Sequence, residues 1–299
     1  MTSQRFKTLL HREWMQHHAG WLMVMLAVPL IALLALPWGK VELAPDDHMP
    51  PPTILALLAL TGVVMATWAL SWMVTMFQLP GLARRDQQDR SIEFWLSLPG
   101  SHSESIAATL LMHALFVPLL AVLVGAAAGL LLCAGALIKV YGFASLAQVS
   151  WGMVLGAGFA GLLRLLLGVT LMTLWFAPLF MILMVASAWL KRWGTPLVIA
   201  ATVIGGNVLT RVYDNRIVWE LLQAQAQGAG KAFFDASDTL RHGLKEPADL
   251  GSFITEASRW MLEDSVTAIS QLASPHLIGG LLISAACFYL LVLYRRRAN

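Results

Sequence analysis

The sequence predicts an all-α integral membrane protein with six transmembrane helices. Hydrophobic residues make up 58% of the 299-residue chain and charged residues only 12%, against about 45 to 50% and about 25% in soluble domains. The mean hydropathy is +0.69, and the apolar residues occur in long runs rather than on periodic faces. A crossing needs roughly 20 apolar residues, so these runs define the architecture.

The basic residues lie at the ends of the apolar runs. The formal net charge is +3, but Lys and Arg are not gathered into one patch, so nucleic acid is not an expected partner. In short loops these residues favour the cytoplasmic side of a membrane. Four basic clusters therefore set the orientation: Arg5, Lys7 and Arg12; Arg84, Arg85 and Arg90; Lys191 and Arg192; Arg295, Arg296 and Arg297.

Residues 1–20 are predicted to form an amphipathic elbow helix before the first span. Apolar and aromatic side chains recur there in steps of three and four, with charges between them, as suits a helix in the membrane interface. These are Phe6, Leu9, Leu10, Trp14 and His17. Because no small-residue cleavage site follows the first apolar run, we expect the segment to be retained.

Residues 21–211 are predicted to hold the first five spans. The first three are Trp21–Trp38, Thr53–Leu79 and Ile106–Leu137, and the fifth is Thr195–Leu209. Gly125 and Gly129 in the third span form a small-residue pair that lets helices approach closely, within one subunit or between two.

The fourth span is ambiguous, because the run from Leu146 to Leu190 is long enough for two crossings at roughly 20 residues each. With one crossing, all four basic clusters and both termini are cytoplasmic. Residues 146–163 then form an external helix, membrane-lying or re-entrant, and the span starts near Arg164. That arginine is a candidate charge at the outer interface, as a snorkelling anchor, or in a transport pathway.

The remaining chain is divided into a helical extracytoplasmic segment, residues 212–275, and a last span with a basic cytosolic tail, residues 276–299. The first of these contains two helical repeats, with a candidate N-cap at Asp214. The repeats are Ile217, Val218, Leu221 and Leu222, and Phe253, Ile254, Ala257, Trp260 and Met261. A gate or exit lid and a structural plug on the membrane face both fit this pattern.

Residues 80–105 connect the second and third spans in the cytosol. Ser91 is a candidate N-cap of a short helix that Pro99 and Gly100 end. Glu93 lies near its start, where negative charge is favoured, and its apolar side contains Ile92, Trp95, Leu96 and Leu98. Exposed aromatic residues beside charges are typical of a docking patch, although a helix on the membrane surface has the same pattern. Ser101 and Glu104 form a predicted capping box for the third span.

The string DRSIEFWLSLPGSHSESIAATLL, Asp89 to Leu111, resembles the cytosolic signature of type 2 ATP-binding-cassette transporter permeases, which typically read G-S-I-E-F-L-L-S-L-P-V-S-R at this place. Arg90, Gly100 and His102 depart from that pattern. The resemblance implies that the short helix is a coupling helix that docks on a separately encoded ATPase. It implies these docking residues: Ser91, Ile92, Glu93, Phe94, Trp95, Leu96 and Leu98.

The family plan further implies two ATPase copies that carry ATP and Mg, and a second permease copy, as a homodimer in the bacterial inner membrane. The chain itself lacks a P-loop, because neither Gly39-Lys40 nor Gly230-Lys231 completes the Gly-x-x-x-x-Gly-Lys-Ser/Thr pattern. We predict no catalytic residues, no cofactor and no metal site in this chain. His17 and His18 point to different helix faces, and His113 and His276 are isolated near span ends.

The expected function is export of a hydrophobic or amphipathic substrate, because the spans contain Leu, Ala, Met and Trp with few polar groups. The alternatives are an ion-coupled secondary transporter and a non-transporting membrane scaffold that uses an ATPase partner. Secondary transporters tend to place ionisable residues at mid-membrane, and the predicted spans are nearly free of Asp, Glu and Lys.

Overall fold

The computed structural model describes residues 2–39, 50–88, 101–234 and 250–297, and every regular element in these ranges is helical. The α-helices are α1 (Thr2–Ala35), α2 (Pro52–Gln88), α3 (His102–Leu110), α4 (Val117–Tyr141), α5 (Ser145–Gln148), α6 (Trp151–Leu190), α7 (Gly194–Tyr213), α8 (Ile217–Phe233), α9 (Leu250–Ser270) and α10 (Pro275–Arg297). A π-helical turn, Leu111–Phe116, joins α3 to α4. Short 3-10 turns, Lys191–Trp193 and Gln271–Ala273, precede α7 and α10.

Within the described ranges, five helical stretches are long and apolar enough to cross a membrane. They are Gln4–Ala35, Pro52–Ala83, His102–Tyr141, Trp151–Tyr213 and Pro275–Arg297. The fourth stretch covers α6, the 3-10 turn and α7. These helices indicate a multi-pass membrane protein, as the sequence predicts.

The beginnings of α1 and α3 lie together with the ends of α6 and α10. The Thr109 hydroxyl of α3 donates a hydrogen bond to Glu13 of α1 at 3.1 Å, and Arg295 of α10 donates to Ser105 of α3 at 3.2 Å. One buried apolar cluster joins this end of the bundle: Leu79, Leu82, Ala83, Ile106, Met184, Ala188, Leu291 and Val292. The helix ends that carry the basic clusters therefore share one end of the bundle, called here the basic end.

The predicted capping box at the start of α3 is confirmed. The Ser101 hydroxyl accepts from the Glu104 amide at 3.2 Å, and the Glu104 carboxylate accepts from the Ser101 amide at 3.1 Å. Since the first amides of a helix have no partner within it, this reciprocal pair fixes where α3 begins.

The glycine pair of α4 packs against α2 of the same chain. A Cβ on Gly125 would lie 3.0 Å from the Cα of Val64, and one on Gly129 would lie 2.8 Å from Leu60. The absence of side chains lets the two backbones approach closely, as small residues do in membrane helix pairs. Of the two interpretations of this pair, packing within one subunit is the one observed.

The prediction that residues 146–163 form a helix separate from the fourth span is wrong. Their placement outside the membrane stays a prediction. α6 begins at Trp151 and continues for 40 residues through Arg164 to Leu190, which is about 60 Å at 1.5 Å per residue. Residues 151–163 therefore continue into the predicted span as one helix. Since this helix does not reverse direction, it does not form two crossings.

α1 is likewise one helix of 34 residues, with no break between the predicted elbow, residues 1–20, and the first span. Trp21 is buried at 4% exposure and lies against His113 of the π-helical turn, with 5.0 Å between the ring centroids. α1 therefore contacts α3 at Glu13 and the π-helical turn at Trp21.

A sharp change of direction separates α7 from α6. Lys191 adopts a positive φ of 54°, and a Cβ on Gly194 would overlap the backbone of Ala186 and Ser187. In a continuous helix, residues eight apart are about 12 Å apart along the axis, so this contact requires a turn. Glycine makes the close approach possible.

α8 and α9 both pack along α6. At Gly228 of α8 an added Cβ would overlap the Trp175 ring of α6, and Phe233 stacks on Trp68 of α2 with 4.4 Å between centroids. The helices predicted here are confirmed, but the cap at Asp214 is wrong. Asp214 ends α7 in the left-handed conformation, with φ 47°, and the Asn215 side chain accepts from the Ile217 amide at 2.9 Å.

Candidate functional site

The docking segment lies outside the described residues. This applies to every residue that the resemblance assigns to ATPase docking: Ser91, Ile92, Glu93, Phe94, Trp95, Leu96 and Leu98. The described chain stops at Gln88 and resumes at Ser101. The helix ends on either side, the end of α2 and the start of α3, both belong to the basic end.

Arg164 is buried inside the bundle, with 3% of its surface exposed. Its Nε donates to Oδ2 of Asp264 in α9 at 2.6 Å, and its Nη1 donates to the main-chain carbonyl of Ala232 in α8 at 3.1 Å. The side chain therefore does not reach outward as a snorkelling anchor does, and that interpretation is corrected. It joins three helices that are far apart in sequence.

Asp264 is equally enclosed, at 7% exposure. Removing two charges from water costs several kcal/mol per ion, and their attraction offsets this only when the geometry and the additional hydrogen bonds are good. The short Nε–Oδ2 distance and the carbonyl at Nη1 offset part of this cost, while Nη2 is buried without a hydrogen-bond partner among the described residues. A partner that stabilises Arg164 thus comes from the segment between α7 and α10, which sequence spacing alone does not reveal.

A cavity of about 950 Å³ opens beside this ion pair. Its walls come from α2, α4 and α6, together with residues of α8 and α9, and Arg164 is the one charged residue among the described residues that line it. Most of the others are apolar, including Leu57, Leu60, Val64, Met65, Leu130, Leu155, Phe159, Leu162, Phe233 and Met261.

The volume lies within the range of small-molecule sites, about 300 to 1,000 Å³, and apolar walls with few polar groups are typical of them. The described residues around the cavity offer hydrophobic contact and one guanidinium. This lining suits contact with an apolar or amphipathic molecule.

A second polar cluster lies near the basic end, between α1 and α3. Glu13, His17 and His113 each place a possible ligand atom within 4.8 Å of the others. His113 is fully buried and Glu13 is 4% exposed. The interpretation of His113 as isolated is therefore wrong. Glu13 and His17 are four residues apart on one helix face, which is visible in the sequence, but His113 is brought to them only by helix packing.

No protein-family model, no curated protein and no solved structure matches the chain.

Proposed function

We propose that the chain is the membrane-spanning permease subunit of an ATP-binding-cassette transporter, which exports a hydrophobic or amphipathic substrate with ATP hydrolysed by a separate subunit. The observation that carries this proposal is the position of the helix ends beside the docking sequence. α2 ends and α3 begins at the basic end, next to the start of α1 and the end of α10. An ATPase bound there would meet helix ends on the side that carries the positive charge.

A six-span topology with cytoplasmic termini is part of the proposal. α7 has 20 residues, long enough for one crossing, and the sharp turn at Gly194 supports treating it as a span separate from α6. Many of its apolar side chains are exposed, such as Ile204 at 64% and Val212 at 68%. In a bilayer or in a dimer with a second copy, these side chains would find apolar neighbours.

The transport step requires only differential contacts with two states, because the permease supplies no chemistry of its own. Closure of two ATPase subunits on ATP would move the connection between α2 and α3. α2 packs against α4 at Gly125 and lines the cavity, so such a movement would reach the proposed substrate path.

The central test is co-purification of ATPase activity with the tagged chain from its native membranes. The wild type should carry ATP hydrolysis, and Trp95→Ala or Glu93→Lys should remove most of it. Trp38→Ala is the matched control, because Trp38 is a tryptophan three residues beyond the far end of α1, with 78% exposure. If the wild type carries no ATPase, or if Trp95→Ala keeps as much as Trp38→Ala, the docking proposal is wrong.

Topology is tested by labelling engineered cysteines from outside intact cells with a membrane-impermeant maleimide, after replacement of Cys133 and Cys287. We expect label at Phe143→Cys, between α4 and α5 and 77% exposed, and none at Lys191→Cys until the cells are opened. Label at Lys191→Cys from outside would contradict cytoplasmic placement of the basic end.

The cargo class is tested by measuring which compounds stimulate ATP hydrolysis of the reconstituted complex. Single-chain amphiphiles should stimulate it, and Ala157→Phe, which fills the cavity, should reduce the response. Gly152→Phe on the same helix is the control, because an added Cβ there meets nothing within 4 Å. If both variants responded equally, the cavity would not be part of the substrate path.

One observation favours the secondary-transporter alternative. Buried ionisable pairs such as Arg164 and Asp264 occur in ion-coupled transporters. The two functions are separated by uptake into proteoliposomes: an ATP-binding-cassette exporter needs ATP and its partner, whereas a secondary transporter works with the purified chain and an ion gradient alone.

A further inference from the structure

We propose that Glu13, His17 and His113 form a binding site for a divalent transition metal of the Zn²⁺ class, between α1 and the π-helical turn that joins α3 to α4. The ligand atoms of the three side chains lie within 4.8 Å of one another. Two imidazoles and one carboxylate are a common protein ligand set for zinc, with a further position left for water or another ligand. Imidazole ligands disfavour Mg²⁺ and Ca²⁺, which prefer oxygen.

The hydrogen bonds of the two rings select the tautomer that binds metal. His17 Nδ1 lies 3.0 Å from the Glu13 carbonyl oxygen, and His113 Nδ1 lies 3.0 Å from the Thr109 carbonyl oxygen. Since a carbonyl oxygen only accepts, each Nδ1 carries the proton. In a neutral ring the lone pair is then on Nε2. Metal-ligating histidines usually donate their other N–H to a carbonyl or carboxylate in this way.

The carboxylate is also held in place. Oε1 of Glu13 accepts from the Thr109 hydroxyl at 3.1 Å and from Arg12 Nη2 at 2.5 Å. Both of these bonds are to Oε1, and Oε2 is the other carboxylate oxygen that would bind a cation. The positive charge of Arg12 opposes a second cation nearby, so we expect an exchangeable metal rather than a permanently bound one.

The indole ring of Trp21 covers the two histidines. Trp21 stacks on His17 with 5.2 Å between centroids and meets His113 edge-on at 5.0 Å. The Nε2 atoms of both histidines are shielded from solvent. A dry surrounding strengthens the attraction between a dication and a carboxylate.

Metal binding requires only small movements. With bonds of about 2.0 to 2.1 Å to a tetrahedral metal, ligand atoms lie about 3.4 Å apart. The present separations of up to 4.8 Å must therefore shorten by about 1.4 Å when a metal binds, through movement of the ligand side chains. His113 lies in a π-helical turn, an irregularity that is frequent at functional sites.

Cobalt is the probe for the test, because Co²⁺ occupies zinc sites and absorbs visible light when four- or five-coordinate. The full-length chain is purified in detergent, stripped with a chelator and titrated with Co²⁺. We expect one equivalent to bind, with visible absorption that Zn²⁺ abolishes. His17→Ala and His113→Ala should each weaken binding roughly tenfold or more. The matched control is His11→Ala, an exposed histidine of α1, which should leave binding unchanged.

A ligand exchange keeps the test decisive if an alanine variant fails to fold. His17→Cys places a thiolate at the same position and should add a near-ultraviolet charge-transfer band to the Co²⁺ spectrum, whereas His11→Cys should not. The proposal is overturned by less than one equivalent bound to the wild type, by unchanged binding in folded His17→Ala and His113→Ala, or by a His17→Cys spectrum without the thiolate band.

Discussion

The cluster around Glu13 and the ion pair of Arg164 both place polar side chains inside an apolar bundle, but they are stabilised over different distances. Both histidines of the first cluster hydrogen-bond to carbonyls of their own helices, four residues back. Arg164 depends on Asp264, 100 residues away, and on the carbonyl of Ala232 in α8.

The difference determines what each region needs in order to stay folded. If α1 separated from α3, each ring of the Glu13 cluster would keep its backbone hydrogen bond. If α8 and α9 separated from α6, Arg164 would be left as a charge without compensation in an apolar surrounding. The segment between α7 and α10 is therefore required by α6, beyond any role it has as a gate or a plug.

The largest effect is expected for Asp264→Asn, which leaves the buried Arg164 without a counter-charge. The free energy of unfolding should fall by about 3 to 5 kcal/mol, as for other buried pairs that lose one partner. Denaturant titration in mixed micelles measures it. The double variant Arg164→Met with Asp264→Leu should recover most of the loss, because it removes both charges. A single-variant loss below about 1 kcal/mol, typical of exposed pairs, would contradict the geometry.

The next effect tests the packing of α8 on α6 without changing a charge. Gly228→Ala should lower the free energy of unfolding by about 3 kcal/mol, the upper end for overpacking, because the new Cβ overlaps the Trp175 ring. Gly230→Ala on the same helix is the control, since nothing lies within 4 Å of its added Cβ. It should stabilise α8 slightly, by up to about 1 kcal/mol. Equal effects of both variants would show that α8 does not pack in this register.

A smaller effect is expected in the Glu13 cluster. The single proton of the Thr109 hydroxyl is shared between Glu13 and the Ser105 carbonyl, each at 3.1 Å. Thr109→Val removes this hydroxyl and should cost up to about 1.5 kcal/mol, the lower end for hydrogen bonds to charged groups. Thr170→Val is the matched control, because the Thr170 hydroxyl bonds only within its own helix, to the Leu166 carbonyl at 2.8 Å. Thermal unfolding in detergent compares them. A larger loss of stability for Thr170→Val than for Thr109→Val would contradict the stabilising role of the bond between Thr109 and Glu13.

The smallest effect is expected for Glu263→Gln, one residue before Asp264. Its ion pair with Arg259 at 3.2 Å has side-chain exposures of 85% and 64%, and such exposed pairs contribute about 0.3 to 0.5 kcal/mol. The change in the free energy of unfolding should be near the error of the measurement. A loss comparable to that of Asp264→Asn would mean that the difference in burial between Glu263 and Asp264 does not determine how much each carboxylate contributes to stability.

Local features were predicted correctly from the sequence. The Ser101 and Glu104 capping box and the helices around residues 217 and 253 depend on residues within one or two turns of each other, and the structure has them. The apolar runs likewise coincide with long helices. Two predictions that depended on a single charge or a single capping residue were wrong. Arg164 does not begin a helix, and the N-cap position of α8 is Arg216 rather than Asp214, with the Asn215 side chain accepting from the Ile217 amide.

The sequence by itself determined that the chain is helical and apolar enough to cross a membrane, because run length and helix-end signals are local properties. It also contains the segment from Ser91 to Leu98, for which we propose docking to an ATPase. Only the tertiary structure decided which polar groups meet. The partner of Arg164 and the neighbours of His113 come from helices about 100 residues away, and burial makes such pairings matter because an unpaired charge in an apolar interior is costly.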